Sequence, residues 1–539
     1  MPLLDIENLR TITPDSEPSG APLTCDVLIV GGGVGGVAAA TALLKRGFSV
    51  IVTEPTRSVG GQFTSQLVPV PDESNAIERD PGSSTRAYRD LRRATRDHYA
   101  SIPNVVDGAA ANIGQCWVSR VSGTPDIWER LMRDRIADVQ ALLTRKSLFR
   151  VGSTADAVTW ADVADLDSGR LQRIRPHFLL DATEDGSALA MAGLPTVVGQ
   201  EPWSAFHEPH APDTAHPEWI QSFTYCFTVR WAGQNEPLPR IERPAEYEAF
   251  RALGEYTLDY VYSDPPRIVT YHMLDTAPGA AGPFWSYRRL LASGSFAGGV
   301  SPIEDIALVN WRGNDFNDET YLDKPVAEQL RVLRRGKAFA QGFLYWLQTE
   351  CPRDDGMGFG YPEIQPAALP GVGPDGFALH PYVRESRRLH ARFTLTENHL
   401  LPAPEDPDAR WGTLFADSVG CAQYAVDIHP AKGEPHRLAR ALPYHVPLGA
   451  FLTAAGPRNV LPAAKNIGAS RLALASARMH PTEWLIGEVS GTLAAICLAR
   501  GLIDPATVRE DPALLSDFQR DLRTAGIALS WAEILNGGG

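Results

Sequence analysis

The first clear pattern in the chain is Val27-Leu28-Ile29-Val30, an unbroken apolar run that predicts a parallel strand buried on both faces. Gly31, Gly33 and Gly36 follow at once, residues 38–44 predict a helix, and Val50 and Val52 predict a second strand ending at Glu54. Further along, residues 85–100 read as a charged helix and 126–144 as another, with Asp126 at its N-cap. Strands are expected at 147–151 and 157–162, and a turn at Asp167-Ser168-Gly169 leads into a buried strand at 176–182. Alternation over 222–230 and 267–274, with 286–291 and 306–311, predicts a second, mostly antiparallel sheet. Apolar residues at helical spacing make 324–348 a long helix, and near the end a strand (459–464), a turn (465–468) and an apolar helix opening at Pro481 follow in order.

These elements define an α/β protein: a Rossmann-like domain with an inserted, mostly antiparallel β domain and helical connections. Its expected parts are a loose tail (1–22), the first half of the nucleotide domain (23–200), a substrate domain with bridging helices (201–440), the returning half (441–510) and a helical C-terminal extension (511–539).

The three glycines fill a G-x-G-x-x-G turn, and each has its own task. Gly31 permits the tight bend, Gly33 lets backbone approach a diphosphate, and Gly36 lets helix and strand close on each other. The diphosphate then rests on the N–H groups of Val34, Gly35 and their neighbours at the positive end of the helix. Glu54 stands 23 residues after Gly31, where a carboxylate accepts the ribose hydroxyls. Residues 371–376 match the same spacing, but Pro374 and the lack of a flanking strand and helix argue against a second nucleotide fold.

Charge and cysteine usage narrow the field. A net charge of −14 argues against nucleic acid or an anionic membrane as partner. The six cysteines are at least 70 residues apart, so no redox pair or metal spacing is formed, and they read as reduced thiols of a cytoplasmic protein. No signal-peptide pattern opens the chain, and no apolar run approaches the ~18 residues that span a bilayer. His207, His210 and His216 lie among prolines without a carboxylate or cysteine to complete a metal site, so no metal is expected.

Gly60-Gly61, six residues past Glu54, resemble the glycine pair of glutathione-reductase-type FAD enzymes. With Trp285-Ser-Tyr-Arg-Arg, Asn310-Trp-Arg-Gly-Asn-Asp315, Tyr345-Trp-Leu-Gln-Thr-Glu350, Arg384-Glu-Ser-Arg-Arg388, Tyr424-Ala-Val-Asp-Ile-His429 and Ala477-Arg-Met-His-Pro-Thr482, the chain resembles a bacterial FAD-dependent oxidoreductase family, distantly similar to fumarate-reductase and heterodisulfide-reductase flavoproteins. The likeness implies FAD, held by Gly31, Gly33, Val34, Gly35, Gly36, Glu54, Pro55, Gly60, Gly61 and Gln62 at one end. It adds Val158, Ala182 and Thr183, although Glu184 stands where such strands continue with glycine. At the other end it implies Asn466, Ile467, Gly468, Arg478, Pro481, Thr482, Glu483, Trp484 and Leu485, where a helix start faces the flavin.

With one nucleotide fold, the simplest cycle removes a hydride from an alcohol or amine C–H and returns the electrons to dioxygen or another diffusible acceptor. The partners are then a small-molecule substrate and that acceptor, with homo-oligomerisation open. A base is needed for the departing proton; His429, His445 and Tyr424 are the candidates, in that order. The arginines at 384, 387 and 388 serve either a buried ion-pair network or a substrate carboxylate. Three other classes remain open: an NAD(P)H-dependent flavin monooxygenase, a redox-neutral lyase or isomerase containing FAD, and a non-enzymatic cofactor-dependent binding protein.

Overall fold

The computed structural model describes residues 2–535 except 75, 234, 264–265, 298–303, 386 and 404. The strands and helix of the nucleotide half are β1 (Leu3–Asp5), β2 (Arg10–Ile12), β3 (Leu23–Val30), α1 (Val34–Leu44), β4 (Val50–Glu54), β5 (Ala141–Thr144), β6 (Lys146–Ser153), β7 (Val158–Asp165) and β8 (Leu171–Asp181). Side by side the sheet runs β5-β4-β3-β8-β7-β6, and strand Val460–Pro462 adds itself parallel to the end of β8. The β5-β4-β3-β8 part is parallel and the β8-β7-β6 part antiparallel. Val27, Leu28 and Ile29 are fully buried, as a parallel strand covered on both faces requires.

Two ends of the chain meet on this sheet. The helix His480–Arg500 packs directly on α1. A Cβ at Gly487 would stand 2.0 Å from the Gly35 carbonyl oxygen, and one at Gly491 would stand 2.5 Å from that of Ala39. Gly35 in turn lies so close to strand Val460–Pro462 and its exit that its own Cβ would meet Ala463 O at 1.8 Å. Only glycine lets these backbones touch, so the closing helix is locked to the opening turn. By length and composition this helix could cross a membrane, contrary to the reading of the sequence, but 83 % of its apolar window is buried inside the protein. It is a core helix carrying Glu483 and Glu488.

The second sheet is antiparallel: Arg289–Leu291, Ile306–Val309, Phe227–Trp231 and Ile364–Pro366, in that order. The long helix Val326–Thr349 lays Phe339, Phe343 and Leu347 into the aromatic core beneath it.

Several elements depart from expectation for physical reasons. The helix expected over 126–144 is Pro125–Arg135 with Thr124, not Asp126, at the N-cap. Residues 141–144 instead extend the sheet as β5, because pairing with residues 51–54 outweighs the helical preference of Ala141-Leu142-Leu143. The strand expected at 267–274 is Pro266–Thr270, and it pairs with Asp259–Ser263 as a separate hairpin rather than joining the second sheet. The segment 222–230 is divided into Phe223–Thr224 and Phe227–Trp231, and 286–291 begins as a helical turn, Phe284–Tyr287. Residues 1–22, expected as a loose tail, contain the β1–β2 hairpin, anchored because the buried Asp5 accepts hydrogen bonds from Arg145 (2.7 and 2.8 Å), Arg10 (2.9 Å) and Asn8. At the other end the helices Pro512–Ala525 and Trp531–Leu535 lie against the core, and 536–539 fall outside the described residues.

Candidate functional site

The carboxyl ends of β3, β4 and β8 open into a cavity of about 240 Å³, walled by Gly31, Glu54, Pro55 and Thr183 and roofed by Leu3, Leu4 and Ile6 of the hairpin. This is the edge at which open α/β sheets place ligands. Gly31 has φ +106°, and a Cβ there would lie 2.1 Å from Ala182 O; a Cβ at Gly36 would lie 2.1 Å from Gly31 O. No side chain caps α1, so the N–H groups of its first turn face outward toward an acceptor. Glu54 is buried. Its Oε2 accepts from Gly32 N at 2.9 Å, and its Oε1 accepts from Thr56 N at 2.9 Å and Thr56 Oγ1 at 2.7 Å. Burial pushes this carboxyl up to about 7, against the pull of those donors.

From the outer cavity a polar path leads inward. A Cβ at Gly33 would stand 2.7 Å from Glu184 Oε1 and one at Gly61 would stand 2.8 Å from the same atom, so a carboxylate already lies at the start of α1. Lys465 Nζ binds Glu184 and sits 3.5 Å from Glu483 Oε2, which also accepts from Gln62 Nε2. Burial alone would lower the Lys465 pKa, but the two carboxylates more than reverse it and keep the ammonium charged. Burial raises the Glu483 pKa. Gln62 Oε1, Gln66 Nε2 and Glu483 Oε1 are buried with no hydrogen-bond partner among the described residues. Glycines whose Cβ space is taken, an uncapped helix start and buried polar atoms without partners fit a long, anionic, hydroxyl-rich dinucleotide.

Residues 380–384 run from His380 on the outer cavity to Tyr382 and Arg384 on a second, inner cavity of about 60 Å³. Five of the six motifs quoted above meet on it, through Tyr287 and Arg288, Asn310 and Arg312, Arg384, Tyr424 and His429, and Arg478. Its charges are neutralised in pairs: Arg288 with Asp72 at 2.5 Å, Arg384 with Asp315 at 2.9 Å, and Arg478 with Asp427 at 3.4 Å. His429 stands between two of these acids, Nδ1 2.5 Å from Asp315 Oδ2 and Nε2 3.4 Å from Asp427 Oδ2. Burial would raise both carboxyls, yet Arg384 and His429 hold Asp315 below its ordinary pKa, and His429 and Arg478 do the same for Asp427. Burial lifts the Tyr424 phenol well above its usual range, so it stays protonated.

The residues anticipated from the sequence divide accordingly. His429 and Tyr424 line the inner cavity. His445 does not: its Nδ1 donates to Thr413 O (3.0 Å) and its Nε2 accepts from Trp531 N (3.1 Å), fixing the C-terminal segment to the core. Val158 is also elsewhere, exchanging backbone hydrogen bonds with the Asn459 amide. Asn466 ties the turn to the end of β8 through Asp181 O, and a Cβ at Gly468 would meet that of Ala391 at 2.4 Å. Ile467, Trp484 and Leu485 are buried in the hydrophobic core behind the helix start, while Gln62, Arg478 and Glu483 join the path. Of the loop histidines, His210 binds Glu397 and His216 lies 2.9 Å from Glu218. Arg387 pairs with Asp323 and Arg388 with Glu201 and Glu385; of that cluster only Arg384 reaches the inner cavity. Ser386, inside the same motif, lies outside the described residues.

Sequence reasoning missed Lys465, Asp72, Asp315, Asp427, Arg288 and Tyr382 as site residues. A buried lysine inside an otherwise apolar strand-to-turn stretch, 460–468, was the one signal that could have exposed Lys465.

A family model described as FAD dependent oxidoreductase matches residues 26–522. Among solved structures, a geranylgeranyl bacteriochlorophyll reductase-like protein from Thermoplasma acidophilum is 10 % identical over 94 % of this chain and 85 % of its own, with a TM-score of 0.38. The rebeccamycin biosynthetic enzyme RebC is 20 % identical over 39 % of this chain and 38 % of its own, with a TM-score of 0.23. Anhydrotetracycline hydroxylase OxyS from Streptomyces rimosus is 15 % identical over 41 % of each chain, with a TM-score of 0.25. The chain thus spans about two fifths of the length of the last two. No curated protein matches it.

Proposed function

The chain belongs to the FAD-dependent oxidoreductase family, and from that premise we propose that it oxidises a small alcohol or amine held in the inner cavity, with His429 taking the O–H or N–H proton. FAD, when bound, would supply a two-electron acceptor for the substrate hydride, with dioxygen or another diffusible molecule as the final acceptor. The outer cavity and the polar path through Gln62, Lys465 and Glu483 hold the cofactor, with Glu54 on its ribose.

The observation that carries this reading is the clamp on His429. Nδ1–H donates to Asp315, which fixes the tautomer and leaves Nε2 to receive a proton. Asp427, 3.4 Å from Nε2, then stabilises the imidazolium that forms. Tyr424, kept protonated by burial, acts as a donor on the same wall rather than as a base.

His429→Ala tests it. The variant is expected to bind FAD normally and to reduce it with substrate about 10²–10⁴-fold more slowly in oxygen-free solution. Unchanged reduction removes His429 from the role. Bleaching of the flavin by NAD(P)H alone replaces the whole reading with a monooxygenase one.

A further inference from the structure

The hydrogen-bond inventory of the inner cavity names its ligand more narrowly. Arg288, Arg384 and Arg478 line it and are each at most 5 % exposed. All their Nη atoms are engaged: Arg288 on Val70 O and Asp72, Arg384 on Ser222 O, Thr224 and Asp315, Arg478 on Tyr382 and Asp427. The Nε–H of each has no hydrogen-bond partner among the described residues, nor has that of Arg312, and Asp427 Oδ1 and His436 Nδ1 on the same cavity are likewise unmet. Buried donors and acceptors are seldom left unmet, so four spare cationic donors beside a spare carboxylate oxygen and an imidazole nitrogen ask for a ligand with the reverse set. That set is an anion with a donating group next to it.

We propose that the inner cavity binds the head of a 2-hydroxy or 2-amino carboxylate, the carboxylate on the arginine Nε–H groups and the hydroxyl or amino group on Asp427 and His429. The proposal rests on the oxidation reading and deepens it, because in such a molecule the heteroatom and the departing hydrogen share one carbon. Oxidation then yields a 2-oxo acid or 2-imino acid, the hydride leaving to FAD and the proton to His429. Size agrees: at roughly 10–15 Å³ for each water-sized group, a cavity of about 60 Å³ holds four to six of them. A carboxylate, its α carbon and one heteroatom make five.

The test uses the FAD-loaded protein in oxygen-free buffer with lactate, mandelate, alanine and phenylalanine, both enantiomers of each, every acid set against its methyl ester. Binding is read from the shift of the flavin absorbance and of the melting temperature, and oxidation from loss of the oxidised-flavin band. At least one acid is expected to bind about ten- to a hundredfold tighter than its ester, the range that a lost charge-assisted hydrogen bond produces. Arg384→Lys keeps the charge beside Asp315 and lacks the Nε–H, so it should shrink that preference without unfolding the protein. Equal binding of acids and esters, or no binding of any acid, overturns the proposal. Esters that bleach the flavin as well as acids do would sink the anion pocket and leave the oxidation reading standing. Acids that bind selectively and never bleach it support the pocket and overturn the oxidation.

Discussion

The outer and inner cavities are built by opposite means. The outer one is made of backbone: bends at Gly31 and Gly61, an uncapped helix start, and glycines that let α1, strand Val460–Pro462 and the helix His480–Arg500 touch. The inner one is made of side chains, charged and aromatic groups arriving from segments as far apart as Asp72 and Arg478 and held by ion pairs. Backbone architecture holds a cofactor whatever the chemistry, whereas convergent side chains decide what reacts. Substitutions in the two places should therefore fail in different ways.

The largest effect is expected where backbones touch. Gly487→Ala forces a methyl to within about 2 Å of Gly35 O, an overlap that exceeds ordinary overpacking, so a loss of about 3 kcal/mol or more is expected. It would appear as a lower melting temperature together with FAD release. If Gly487→Ala keeps FAD and melts like the parent, the two ends of the chain do not close on the cofactor in the way described. His429→Ala is the counterpart, slow but folded and yellow; loss of FAD from that variant would erase the distinction between the two cavities.

A smaller effect concerns Glu54. With its carboxyl up at about 7, the FAD-free protein holds this proton from the ordinary carboxylate range up to neutrality. A raised pKa means that the stability Glu54 contributes is full at low pH and is lost as pH rises through about 7. Accepting ribose hydroxyls favours the ionised form, so FAD binding expels the proton and affinity should rise about tenfold from pH 6 to pH 8. Glu54→Gln should flatten that slope. A parent protein whose FAD affinity does not vary over this range would remove Glu54 from the ribose. The smallest effect on the flavin is expected from deleting residues 2–12: Leu3, Leu4 and Ile6 roof the outer cavity, so FAD should dissociate a few-fold faster, as measured by fluorescence of the freed flavin.

The same contrast explains what could be read from the chain. Val27 to Glu54 was legible because its strand, turn, helix and acidic residue are contiguous and each spacing has one physical meaning. The closing helix was legible as a helix from local spacing alone. The hairpin of residues 3–12 was not, because its stability comes from Asp5 meeting Arg145, 140 positions away. Likewise β5 was taken for helix because only its neighbour β4 makes it a strand. His429 and Tyr424 were found by their position before the flavin turn, and His445 by the same argument, although it faces Thr413 and Trp531. Proximity in sequence could not separate them. Nor could it show that Asp72, Arg288 and Asp315 come together, since no local pattern marks an ion pair formed across domains.

The central claim is that one flavin nucleotide spans the path between the cavities, and the structure of the FAD-loaded protein tests it most directly. The account predicts the ribose on Glu54 and the flavin ring beside Gln62 and Glu483, with one face open to His429. A flavin ring found elsewhere, or one walled off from His429, would contradict it.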